Sequence, residues 1–132
     1  MAAVNIVNVV SIYGKTTYLT PSATTANLVL LPNAAASGTV MKINQILATN
    51  ILGNAAANAS VAIYTNGAVA QGSAGTGGTA YPIASTISVP QNAALIISDK
   101  TTPIYLEEGN SIAVTSGTAS GITYTVSYEL IS

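Results

Sequence analysis

The chain lacks most of the residues that carry strong side-chain chemistry. Histidine, cysteine, arginine, tryptophan and phenylalanine are absent, and of 132 residues only Lys15, Lys42, Lys100, Asp99, Glu107, Glu108 and Glu129 are charged, for a net charge of -1. Ordinary soluble domains carry about a quarter charged residues. Each absence removes a class of function. Without His or Cys no Ser-His-Asp or Cys-His triad can be assembled, and the common zinc sites lose their preferred ligands. No enzyme activity, no cofactor and no metal site is therefore expected. Without cysteine there is neither a disulfide nor thiol chemistry. Three scattered lysines fall short of the several phosphate-neutralising cations that nucleic acid requires on one face, so no nucleic-acid partner is expected. No stretch approaches the roughly 18 apolar residues of a membrane helix, which argues against a membrane partner. Met1 to Val10 has neither the basic region nor the cleavage site of a signal peptide, so secretion by the general route is not expected.

What is present is β-favouring. Nearly half of the residues (49%) are hydrophobic, in short runs interrupted by Asn, Gly, Pro, Ser or Thr. The runs predict strands at Val4 to Ile12, Ala26 to Leu31, Val40 to Thr49, Ser60 to Thr65, Thr79 to Val89, Ala93 to Ser98, Ser111 to Ser116 and Ile122 to Ile131. In the last of these, Ile122, Tyr124, Val126, Tyr128 and Leu130 alternate with Thr123, Thr125, Ser127 and Glu129, the pattern of a half-buried strand. Val61 with Ile63, Met41 with Ile43 and Leu47, and Ile112 with Val114 supply further inward positions. Turn residues lie between the runs at Pro32-Asn33, Asn66-Gly67 and Glu108-Gly109-Asn110. About eight short strands at this spacing predict one all-β domain over 1–132, an antiparallel β-sandwich of jelly-roll or immunoglobulin-like type. Residues 1–12 read as an attachment strand or arm, or as an ordinary strand of the same sandwich. Ala55, Ala56 and Ala57 favour a helix, but Gly53, Asn50, Asn54 and Asn58 around them predict a loop or a single turn.

Candidate chemistry is sparse. Glu107 and Glu108 are sequence neighbours, which does not place two carboxyl groups on either side of a sugar bond as a glycosidase needs; they read as solvated acids around a turn at Gly109. A calcium site on Asp99, Glu107 or Glu108 lacks a dense acidic array. Gly14-Lys15-Thr16 echoes the end of a phosphate-binding loop, yet Val9 stands where the earlier glycine belongs and no helix follows, so it reads as a turn between strands. Gly72, Gly75, Gly77 and Gly78 fit no dinucleotide fingerprint and predict an exposed, mobile loop. Asn58-Ala59-Ser60 matches the N-glycosylation pattern, to which no function is assigned in the absence of a signal peptide. The seven tyrosines are the only aromatics. Core and interface packing is the expectation for them, with a sugar-stacking platform as the alternative.

Tyr81-Pro82-Ile83-Ala84, Ser88-Val89-Pro90, Ala94-Leu95-Ile96-Ile97, the run Ile104 to Ile112 and the run Thr123 to Glu129 resemble small virion structural proteins of tailed bacteriophages, especially those of cyanobacterial and other marine phages. Lys42 to Asn50 and Ser11 to Thr16 are similar to the same group, so the resemblance covers most of the chain, although its motifs are structural and not catalytic. It implies a non-enzymatic β-sandwich attached to a phage particle and assembled in the host cytoplasm, and it carries over no functional residue. The expectation is a head decoration or cement protein, self-associated as a trimer and bound between major capsid protein subunits. A tail, neck or fibre component is the alternative within the particle, and a carbohydrate-binding module is the alternative outside it. Val4, Ile6, Val9 and Val10, with Tyr13 and Tyr18, are the candidate attachment residues, because an apolar N-terminal segment can pair with a neighbour's exposed strand edge.

Overall fold

In a computed structural model that describes residues 9–65 and 69–132, every regular element is a strand. They are β1 (Ile12–Leu19), β2 (Leu28–Pro32), β3 (Val40–Asn50), β4 (Ala57–Tyr64), β5 (Ala80–Val89), β6 (Ala94–Ser98), β7 (Ile104–Leu106), β8 (Ser111–Ser116) and β9 (Ile122–Ile131). Sheet A has the order β1-β9-β3-β6, with β7 also on β3; sheet B has the order β2-β8-β4-β5. All pairings are antiparallel. β6 and β7 lie end to end along one side of β3, on Ile46–Thr49 and Met41–Ile43 respectively, so they fill one interrupted strand position. The pairs are then nested: β1 with β9, β2 with β8, β3 with β6 and β7, and β4 with β5. A single long hairpin wrapped into two sheets has this connectivity, which makes the fold a jelly roll and not an immunoglobulin-like sandwich.

The sequence pattern accounts for the packing. Along β9, Ile122, Tyr124 and Val126 are fully buried while Thr123, Thr125 and Ser127 are half-exposed. These inward residues meet Ile43, Ile46 and Ala48 of β3 and, from sheet B, Val61, Ile112 and Val114. Each fully buried large aliphatic side chain contributes about 1.5–3 kcal/mol. Tyr124 joins the layers: its hydroxyl donates to the Thr115 carbonyl at 2.7 Å and accepts the Ser60 N–H at 3.1 Å. Burial pushes its phenol pKa up to about 12. Two buried asparagines tie loops to the sheets. Asn33 Nδ2 donates to the carbonyls of Thr39 and Leu106, and Asn50 Nδ2 to those of Ala55 and Val89.

The N-terminal expectation needs correction. Val4, Ile6 and the rest of 1–8 lie outside the described residues, and among residues 9–12 of the expected Val4 to Ile12 strand only Ile12 belongs to a regular strand. The Val10 and Ser11 N–H groups both donate to the Ser132 carbonyl, and regular pairing begins where Ile12 meets Ile131. The first strand therefore runs through Gly14-Lys15-Thr16, which is strand interior and not a turn. β7 is an addition to the expected set, and β4 starts at Ala57, three residues earlier than expected. No helix forms among the described residues at Ile51 to Ala59. The expected turn at Asn66-Gly67 lies outside the described residues, whereas the one at Gly109 is present with φ of 82°.

Candidate interaction surface

Assigning strands to sheets separates the charges. Lys15, Lys42 and Glu129 stand on β1, β3 and β9, Asp99 and Lys100 lie between β6 and β7, and Glu107 and Glu108 leave β7. All seven thus belong to sheet A or to connections that leave it. Sheet B has no ionisable acid or base other than Tyr64 and Tyr81 on any of its four strands.

The outer face of sheet B carries a shallow depression of about 290 Å³, lined by Asn27, Ser60, Ala62, Pro82, Ser85 and Thr115 among others. The Ser60 and Thr115 hydroxyls are engaged within the chain. Ser60 Oγ accepts the Thr86 N–H at 2.8 Å, and Thr115 Oγ1 donates to the Ala26 carbonyl and to Asn27 Oδ1, both at 3.2 Å. A face of small side chains without ions leaves water at little cost, since burial penalises ions most heavily. Beside this face, the segment expected to be mobile is fastened down. Gly72 N–H donates to the Val29 carbonyl, Val29 N–H to Ser73, and Gly75 N–H to Asn27, while Gln71 Nε2 reaches Thr17 Oγ1 and the Tyr18 carbonyl. A Cβ on Gly78 would stand 1.5 Å from the Thr65 carbonyl oxygen, so this glycine serves close packing and not flexibility.

Sheet A presents a different face. Lys42 and Glu129 are directly opposite in register. Nearby, a groove of about 510 Å³ is lined by Asn44, Gln45, Asp99, Lys100, Thr101 and Ser127. Thr101 hydrogen-bonds Asp99 Oδ1 through both its hydroxyl and its N–H, which holds the carboxyl below its ordinary pKa. The groove opens where a bulge between Ile43 and Gln45 breaks the alternation of β3. Among the described residues no three His, Cys, Asp or Glu side chains are grouped to hold a metal ion. Glu107 is exposed, but both carboxylate oxygens of Glu108 are buried without a hydrogen-bond partner among the described residues, so only one of the two acids is solvated as expected.

The candidate attachment residues are only partly brought together. Val9 is half-buried and Val10 exposed, both ahead of β1. Tyr13 and Tyr18 are exposed on β1, an odd number of positions apart, and so face opposite sides of sheet A. The other exposed tyrosines are Tyr81 on β5 and Tyr105 on β7, while Tyr64 and Tyr124 are buried. The four exposed rings are thus spread over three strands in two sheets and form no single stacking platform. Sequence reasoning missed the groove residues Asn44 and Gln45, and although it shows most ions around the Asp99 to Glu108 turns and long strands nearly free of them, it does not show which strands share the ion-free sheet. Neither the groove nor the sheet assignment had a local signal, because one depends on a bulge and the other on which strands pair. No protein-family model, no curated protein and no solved structure matches the chain.

Proposed function

We propose that this chain is a non-enzymatic structural protein of a tailed-bacteriophage particle, a head decoration or cement protein that binds between major capsid protein subunits. The observation that carries the reading is the ion-free sheet B, because the centres of protein interfaces are depleted of charged residues. The phage resemblance of the sequence supports the same reading. So does the jelly roll, an architecture that viral capsid and lectin domains use, although this is an analogy of fold alone. A cement protein binds the assembled lattice better than separated subunits and so draws the equilibrium toward the closed shell. The chain would be assembled in the host cytoplasm, with self-association as a trimer suiting local threefold positions, and with neither nucleic acid nor membrane as a partner. Val10, Tyr13 and Tyr18 supply exposed apolar contact near β1.

Quantitative mass spectrometry of purified particles tests this reading. Hundreds of copies per particle are expected, whereas a handful at one vertex would replace decoration with a tail, neck or fibre role. The amide-lined groove at Asn44 and Gln45 favours a second reading, a carbohydrate-binding module. Glycan-array binding lost on Gln45→Ala would support that alternative.

A further inference from the structure

A β-sandwich has edge strands whose unpaired N–H and C=O groups invite further pairing, and proteins ordinarily blunt them. Three of the four edge positions here are blunted. β2 is covered by the 71–75 segment, including a bridge from Leu28 to Ala74. β5 carries Pro82, two register breaks against β4, and Thr86 at φ of 48°. The β6 and β7 edge is interrupted by residues 99–103 and has its own bulge. β1 has no proline, register break or interruption, and the 71–75 segment reaches it only at its Tyr18 end, through Gln71. Its register with β9 is unbroken over eight pairs, from Ile12 with Ile131 to Leu19 with Tyr124. It contains a single charge, Lys15.

The hydrogen bonds fix which groups face outward. Ser11 and Ser132 exchange both backbone bonds, so in the alternation of an antiparallel pair Ile12, Gly14, Thr16 and Tyr18 turn theirs away from β9. The Tyr18 carbonyl accepts from Gln71, in keeping with that parity. Among the described residues, nothing pairs with the outward groups of Ile12, Gly14 and Thr16.

We infer that this edge is a self-association site, where β1 of a second copy pairs antiparallel across a twofold axis through Gly14. In that register Gly14 faces the partner's Gly14, and Ile12 faces the partner's Thr16. These are three hydrogen-bonded pairs, counting both copies, and each exchanges two N–H···O bonds. Ile12 and Tyr13, which are 56% and 59% exposed, acquire cross-strand neighbours. Tyr13 falls opposite the partner's Lys15, an aromatic ring beside an ammonium. Moving the axis to Lys15 would oppose the two lysines and require the Tyr18 carbonyl that Gln71 holds. Gly14 itself fits the role. Glycine weakens a strand interior and marks a bulge, a bend or a close backbone approach. There is no bulge here, and a Cβ at position 14 would meet nothing within 4 Å in the single chain. This inference goes beyond the virion reading and does not rest on it.

Sedimentation velocity of the purified full chain tests it. A dimer, or a hexamer in which two of the proposed trimers are joined through β1, is expected, with its mass halved by Thr16→Pro. That substitution removes an outward N–H and spares the bonds to β9, and far-UV circular dichroism checks that the variant folds. Because the chain has no cysteine, Gly14→Cys provides a second reading. A hydrogen-bonded pair holds its Cα atoms about 5.5 Å apart, within disulfide range, so oxidation should cross-link this variant about tenfold faster than Ala119→Cys on an exposed loop. A monomer at every concentration, an assembly unchanged by Thr16→Pro, or cross-linking no faster than the loop control would each overturn the inference.

Discussion

Sheets A and B share one core yet meet solvent in different ways. Sheet A, with the connections that leave it, holds every Lys, Asp and Glu of the chain, and its groove is lined by amides and two ions. Sheet B holds none, and the Ser60 and Thr115 hydroxyls at its depression are bonded within the chain. A low average charge would have suggested a uniformly neutral surface. The partition instead leaves one face hydrated and the other inexpensive to cover.

The largest expected effect comes from placing an ion on the neutral side. Ser85→Lys puts an unpaired ammonium beside the sheet B depression, and an interfacial charge without a partner costs several kcal/mol. Binding to purified particles should fall about 100-fold, with less than about threefold change for Thr101→Lys on sheet A. Equal losses in an equilibrium pelleting assay would erase the difference between the sheets.

The next effect concerns the tyrosine that spans the two layers. The Tyr124 phenol has its folded pKa raised from 10.0 to about 12, so the unfolded chain releases this proton first as pH rises. The associated stability is fully present below pH 10 and is lost between about 10 and 12, an amount of about 3 kcal/mol. Urea unfolding at pH 9 and at pH 11.5 captures about 2 kcal/mol of it, and Tyr124→Phe should remove most of that pH dependence. At neutral pH, Tyr124→Phe should cost about 2 kcal/mol, since the Ser60 N–H and the Thr115 carbonyl each lose a buried partner. An unchanged midpoint would mean that the two layers are held by apolar packing alone.

The smallest effect is expected on the charged side. Glu129→Gln removes the carboxylate opposite Lys42, and a surface charge pair of this kind contributes about 0.5 kcal/mol or less. A loss of several kcal/mol would show that sheet A depends on its ions for stability and not merely for hydration.

The core strands were legible because one buried face imposes a period of two. β9 and β8 follow their residue patterns closely, and turn residues separate most of the elements. β1 was misplaced for the opposite reason. Six of its eight residues are exposed and two are half-buried, leaving no apolar alternation to find, while Val9 and Val10 just ahead of it carry the apolar signal without being strand. The β-favouring Tyr13, Thr16, Thr17 and Tyr18 were the available signal, and Gly14-Lys15 concealed it. β7 is too short to show a pattern of its own. The surface was legible as scarcity, with most ions near the Asp99 to Glu108 turns, and not as two unlike faces, because the sorting of ions between sheets follows from a topology that brings residues far apart in sequence onto one layer.

Pairing of β1 with β9 also sets an order in time. Ile12 meets Ile131, so this edge of sheet A must wait for a chain segment made more than a hundred residues later. Contacts of such separation fold slowly, whereas β4 and β5 can meet early. β1 acquires its extended, outward-facing groups only once β9 has docked. β9 also supplies Ile122, Tyr124 and Val126 to the core, so the open edge of β1 is completed only together with, or after, that part of the core.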